Sequence, residues 1–203
     1  MKIVALQGSP RANGNTQALL DFVLKGAREA GAAIDVVQLS ELRNLTGCEE
    51  CYVCQEPGEE PACAIEDDMQ DAHARMLAAD VIVWATPVFC FTPSWLLKMA
   101  MDRTFCMFRF PTDKPVQCAL AGRKMAAVVT FGGDRDGMAD LTTAALERLA
   151  EAAGCTWLGA CIAGDVTDRS SIRHDTELRE RAREFGRTLA GAGPASVEEP
   201  PAP

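Results

Sequence analysis

Five short apolar runs, each trailed by a stretch with helical spacing, restrict this chain to a small set of folds. Lys2–Leu6, Ile34–Leu39, Val81–Ala85, Ala126–Thr130 and Thr156–Ala163 read as strands buried on both faces. Helical patterns fall near Thr16–Ala30, Asp68–Ala79, Ser94–Phe105, Asp136–Ala153 and Asp175–Leu189, with Gly31 and Gly154 where C-caps belong. Strands alternating with helices pair in parallel, because a crossover returns the chain to the same end of the sheet. The expected architecture is therefore α/β: a three-layer α/β/α sandwich around a five-stranded parallel sheet in the order 2-1-3-4-5. One domain over 1–190 accounts for the pattern, and the Pro-, Ala- and Glu-rich tail 191–203 is expected to be disordered.

The first strand runs into Gly8-Ser9-Pro10-Arg11-Ala12-Asn13-Gly14-Asn15-Thr16, a polar loop that opens a helix. Backbone N–H groups and the positive end of the helix dipole converge there, which makes an anion cradle. Ser9, Asn15 and Thr16 offer hydroxyl and amide donors, and Arg11 a fixed charge suited to phosphate. The loop is not the nucleotide-triphosphate type, since Asn15 stands where that loop needs lysine, nor does it carry G-x-G-x-x-G. A plain strand-to-helix turn capped by Asn13 or Asn15 is the alternative.

Gly-Ser-Pro-Arg followed by Gly-Asn-Thr resembles the phosphate loop of flavodoxin-like NAD(P)H-dependent FMN reductases and iron–sulfur flavoproteins, and the resemblance runs from Met1 to about Leu189. It implies a flavodoxin-like fold and bound FMN, with NAD(P)H as co-substrate. Ser9, Arg11, Asn13, Asn15 and Thr16 would then hold the phosphate. The loop Thr86–Ser94 resembles the family's isoalloxazine loop, a P-x-Y segment before a helix ending in Asp-Arg; Lys98 and Asp102-Arg103 match, while Phe89 replaces the tyrosine. Pro87, Val88, Phe89, Cys90 and Phe91 are thus expected beside the ring, and Gly132-Gly133 near its pyrimidine edge. Hydride transfer to a flavin needs no protein nucleophile. That suits a chain whose two histidines, His73 and His174, read as solvated surface residues.

The insertion Ser40–Asp67 carries Cys48-x-x-Cys51-x-x-Cys54 and, after eight residues, Cys63. Three thiolates so closely spaced, with a fourth from further along, match ligands of a [4Fe–4S] cluster better than zinc knuckles, which pair two C-x-x-C units across a longer gap. The pattern resembles that of iron–sulfur flavoproteins, with a slightly longer final gap. Relatives treated simply as FMN reductases also carry cysteines before an Asp-Asp-Met segment, here Asp67-Asp68-Met69. A loop of reduced, uncommitted thiols is the alternative. Glu49, Glu50, Glu56, Glu59 and Glu60 would surround the centre with negative charge. Cys106, Cys118, Cys155 and Cys161 read as core or ordinary positions.

Three functions follow: an NAD(P)H-dependent reductase acting through FMN on a flavin, quinone or similar small acceptor; an iron–sulfur flavoprotein relaying electrons to a redox protein; or a flavin-bound sensor. A net charge of −9 argues against nucleic acid or an anionic membrane as partner. Nine cysteines with no signal peptide in view point to reduced thiols in the cytoplasm. The resemblance implies a homodimer or homotetramer, and Val88, Phe91, Trp95, Met107, Phe108 and Phe110 would supply its apolar surface.

Overall fold

The computed structural model describes residues 1–56, 62–133, 136–166, 168 and 171–191. Glu59, Glu60 and the tail beyond 191 lie outside them. The strands are β1 (Lys2–Gln7), β2 (Ala33–Gln38), β3 (Val81–Phe89), β4 (Thr92–Pro93), β5 (Phe108–Arg109), β6 (Gln117–Cys118), β7 (Lys124–Thr130) and β8 (Thr156–Ala163). The helices are α1 (Asn15–Glu29), α2 (Met69–Leu77), α3 (Trp95–Arg103), α4 (Asp140–Ala152), α5 (Ser171–His174) and α6 (Thr176–Leu189). Five parallel strands run in the order β2-β1-β3-β7-β8, the expected doubly wound sheet.

Alternation along each strand explains the three layers. Val4, Leu6, Ile82, Trp84 and Val129 face one way, onto Met69, Met76, Leu97 and Leu146 of α2, α3 and α4. Ile3, Ala5, Val83, Val128 and Cys161 face the other, onto Leu19, Val23, Ala182 and Phe185 of α1 and α6. Gly31 (φ 88°) and Gly154 (φ 67°) follow the ends of α1 and α4 in the left-handed conformation expected of them.

Three departures from the sequence reading matter. The segment after Ala85 is not a loop: β3 continues to Phe89 and doubles back into β4 through Cys90 and Phe91. Both turn residues have positive φ, 49° and 69°. A two-residue hairpin turn requires that conformation, at roughly 1–2 kcal/mol each for side chains of this kind. His73 is not a surface residue: it is 5% exposed, on the inner face of α2 with Met69, Ala72 and Met76. Met107 and Phe108 are also buried and add nothing to an exposed surface, whereas Phe91, Trp95 and Phe110 are exposed. His174 is exposed as expected. Among the described residues no helix is long and apolar enough to cross a membrane.

Candidate functional site

The loops after β1 and β7 and the C-terminal end of β3 meet where the strand order reverses. They enclose a cleft lined by Ser9, Arg11, Asn15 and Thr16 on one side, Pro87, Val88 and Phe89 on another, and Phe131 and Gly132 on a third. The cleft holds about 190 Å³. Sites that enclose a ligand of drug size run to about 300–1,000 Å³. At that volume the cleft has room for part of a ligand of that size. Asn13, Cys90, Phe91 and Gly133 stand outside the lining: Asn13 is exposed, Cys90 and Phe91 form the hairpin turn, and Gly133 faces a neighbouring hollow.

The polar side chains of the first loop are largely spent on holding its shape. Ser9 Oγ accepts the Arg11 N–H at 3.1 Å. The Thr16 and Thr130 hydroxyls share a hydrogen bond of 2.7 Å, tying α1 to the end of β7. Asn15 Nδ2 donates to the Val166 carbonyl at 3.1 Å and to that of Asp168, which brings the segment after β8 to the cleft. Neither asparagine caps α1: the N-cap is Gly14, with no side-chain hydrogen bond and no acid in the first turn. The helix therefore presents its first N–H groups and dipole with nothing from the loop to neutralise them. A Cβ at Gly14 would sit 3.2 Å from Arg11 Cβ, so the loop closes around a residue without a side chain.

Ser94, the buried N-cap of α3, joins the first two loops. Its Oγ donates to the Gly8 carbonyl and accepts the Leu97 N–H at 3.2 Å, while its own N–H donates to Thr86 Oγ1 at 2.9 Å. Gly8 admits no substitute, because a Cβ would lie 2.7 Å from Leu97 Cβ. Thr142 on α4 donates to the Phe91 carbonyl at 3.2 Å and holds the turn from the other side. Phe89 (42% exposed), which lines the cleft, and Phe91 (52% exposed), in the adjoining turn, are flat apolar surface, not core. Sequence reasoning missed Ser94, Thr130, Phe131 and Val166; helix capping chemistry at Ser94 was the available signal.

The cysteine insertion forms a second centre. Cys48, Cys51, Cys54 and Cys63 all line one hollow at its heart, with Arg103, Phe105 and Cys106 closing the protein side. Glu50 and Tyr52 adopt left-handed backbone (φ 52° and 58°) and curl the run around it. Among the described residues, no three His, Cys, Asp or Glu side chains meet at a single ion position. A four-iron cluster asks for something else: one thiolate per iron, arranged around a volume. The hollow holds about 20 Å³, so a cluster enters only if the exposed Cys48–Tyr52 segment swings outward. The donor set fits; the room depends on that segment.

Beneath the hollow, Arg103 is fully buried and clasps both stems of the insertion. It donates to both Asp67 carboxylate oxygens (2.5 and 2.8 Å) and to the Thr46 carbonyl at 2.9 Å. Burial alone pushes Asp67 up, but the hydrogen bonds and charge of Arg103 outweigh it and hold the carboxyl below 3.8. Burial, reinforced by Arg103, pushes His73 down to about 4. Burial, with Cys63 and Cys54 close by, pushes the Cys106 thiol up to about 12.

A doubly wound parallel sheet with an open cleft at its switch point is the flavodoxin-like class of fold. The chain belongs to the NADPH-dependent FMN reductase family, whose model matches residues 1–166. It is similar to the iron-sulfur flavoprotein of Methanocaldococcus jannaschii (32% identity over 143 residues, covering 70% of this chain and 67% of that protein). It is similar also to the iron-sulfur flavoprotein of Methanosarcina thermophila (32% over 137 residues, covering 68% and 66%). The chain thus spans about two thirds of the length of these relatives. Among solved structures, the NAD(P)H:quinone oxidoreductase of Methanothermobacter marburgensis superposes with a TM-score of 0.74 at 20% identity, covering 93% of this chain and 98% of that one. That likeness shows the shared fold.

Proposed function

We propose that the chain is an NAD(P)H-dependent reductase that passes electrons through bound FMN to a small planar acceptor such as a flavin or quinone. The observation that carries this reading is the uncapped N-terminus of α1 opening into the same cleft as Pro87, Val88 and Phe89. The loop Gly8–Thr16 grips the phosphate mainly with backbone N–H groups, since Ser9, Asn15 and Thr16 are engaged elsewhere, and Arg11 adds charge at the rim. Pro87–Phe89 form the apolar wall for the ring, and Gly132 lets backbone approach its far edge. Bound FMN would supply the hydride chemistry, and these residues would hold and orient it. Cys90, Phe91 and Gly133 border the site without lining it.

Arg11→Ala is expected to weaken FMN binding about tenfold, the scale of one charge-assisted contact. Phe89→Ala is expected to slow quinone reduction with FMN still bound. Fluorescence titration and anaerobic NADPH oxidation with menadione measure the two effects. Wild-type protein that neither takes up FMN nor oxidises NADPH would overturn the proposal. Phe91, Trp95 and Leu141 are each more than half exposed, apolar surface that supports association into a homodimer.

A second reading, an iron–sulfur flavoprotein that relays electrons to a redox protein, is favoured by the gathering of Cys48, Cys51, Cys54 and Cys63 around one hollow. These four would hold a [4Fe–4S] cluster. Iron and sulfide assays on anaerobically purified protein test it, with about four of each per chain expected. A flavin spectrum free of iron after reconstitution would dismiss it.

A further inference from the structure

The backbone N–H groups at the start of the loop Gly8–Thr16 are all engaged. The Gly8 N–H donates to the Ala85 carbonyl at 2.8 Å and the Arg11 N–H to Ser9 Oγ at 3.1 Å, while Pro10 has none. The Ser9 N–H donates to Oε1 of Gln7, the last residue of β1. Of these acceptors Gln7 alone is a side chain from outside the loop. Ser9 itself lines the cleft.

Gln7 is an odd residue for its place. It is 0% exposed, on the strand face where Ile3 and Ala5 pack against α1. A buried carboxamide is best held when oxygen and nitrogen are both bonded, and here Nε2 has no partner among the described residues. The matching group stands on the next strand. Gln38 is the register partner of Gln7 on β2, so the two residues sit about 4.8 Å apart at the backbone with side chains on one face of the sheet. Gln38 Nε2 donates to Gln17 Oε1 of α1 at 2.8 Å, while its own Oε1 is buried without a partner among the described residues. An unpaired donor and an unpaired acceptor therefore stand on neighbouring strands at the foot of the loop. Turning the carboxamide from Ser9 to Gln38 satisfies both and gives up one bond. That bond is the one an anion in the cleft replaces.

We propose that Gln7 is a positioning residue for the phosphate: its carboxamide competes with the anion for the Ser9 N–H and, on yielding it, passes Nε2 to Gln38 Oε1. The proposal rests on the FMN reading of the cleft. No proton or charge moves in the exchange. The anion gains an N–H, and the buried donor and acceptor gain each other. The device acts only on ligands with an anionic group, so it separates FMN from the same ring without phosphate.

The test titrates wild type, Gln7→Leu, Gln38→Leu and the double variant, as full-length protein, with FMN and with riboflavin, which lacks the phosphate. Flavin fluorescence reads both affinities, and their ratio isolates the phosphate from the ring. Gln7→Leu removes the competitor and should raise the preference for FMN about fivefold, the scale of one hydrogen bond. Gln38→Leu should lower it by a similar factor, because the Gln7 carboxamide then has no second acceptor. In the Gln7→Leu background Gln38→Leu should leave the preference unchanged, since both act through one carboxamide. Gln7→Met and thermal unfolding of each variant cover a packing defect, which would weaken both flavins together. In wild type, the nuclear magnetic resonance signal of the Ser9 amide should shift far more with FMN than with riboflavin. A preference that Gln7→Leu and Gln7→Met leave unmoved or lower would overturn the proposal. So would an equal effect of Gln38→Leu with and without Gln7, or a Ser9 signal unmoved at FMN saturation. Wild type that binds the two flavins equally would instead fell the reading of the loop as a phosphate site, and this proposal with it.

Discussion

Arg103→Met is expected to destabilise the protein by about 4 kcal/mol at pH 7, because it leaves the Asp67 carboxylate buried without its partner. The pair is sealed from solvent, with side chains 0% and 1% exposed. The loss is structural as well as electrostatic. Arg103 also donates to the Thr46 carbonyl, so the variant releases the stem of the insertion that leads into Cys48. Urea unfolding should show the drop, and iodoacetamide should reach Cys54 faster than in wild type. FMN binding should be unchanged, since the clasp and the cleft share no residue. The sign of the pH effect follows from Asp67. Its folded pKa is depressed, so its contribution is complete above the ordinary value of 3.8 and is lost as pH falls through the lower folded value. The gap between variant and wild type should therefore narrow in acid. His73 acts in the same direction in wild type: its contribution is full above 6.5 and gone by about 4. A loss under 1 kcal/mol at pH 7, with Cys54 still protected, would show that the clasp does not hold the insertion.

The architecture was legible in the sequence because burial on both faces leaves continuous apolar runs. Val81-Ile82-Val83-Trp84-Ala85 has no exposed position, and the run looks like nothing but a central strand. Its continuation to Phe89 was hidden by Pro87, which reads as a loop. The neighbour β1 has ended by Ala85, so the missing N–H costs the sheet little there. His73 was misread for a different reason. Asp71 and Arg75 around it suggest a polar face, yet Met69, Ala72, His73 and Met76 follow the i, i+3, i+4, i+7 spacing of an inner one. The spacing was the better guide. The candidate site was half legible. Residue types placed Arg11 and Phe89 at the cleft, but could not show that Asn15 and Thr16 turn their polar groups onto Val166 and Thr130. Arg103 and Asp67 each stood in a motif, but they lie 36 residues apart and nothing local announced their pairing, and Cys106 resembled any core cysteine. Contacts of that kind are properties of the folded chain, not of a window of sequence.

Gly186→Ala is expected to cost about 3 kcal/mol and, unlike Arg103→Met, to weaken FMN binding. Alanine favours a helix interior over glycine by about 1 kcal/mol, so propensity predicts stabilisation. Packing predicts the reverse. A Cβ on Gly186 would lie 1.8 Å from the Val23 carbonyl oxygen and 2.9 Å from the Ala27 nitrogen. One on Gly26 would lie 1.9 Å from the Arg183 carbonyl oxygen. The obstacles are backbone atoms, which no rotamer can move aside, so α1 and α6 must separate along their whole contact. Separation loosens the apolar layer in which Leu19, Val23, Ala182 and Phe185 meet. It also tilts α1, whose first turn carries Asn15 and Thr16 into the cleft. Thermal unfolding and FMN titration of the one variant test both effects. A melting temperature at or above wild type would mean that the two helices can part without loss. Unchanged FMN affinity in a destabilised variant would mean that the loop Gly8–Thr16 is held by Ser94, Thr130 and Val166 alone, independently of the helix behind it.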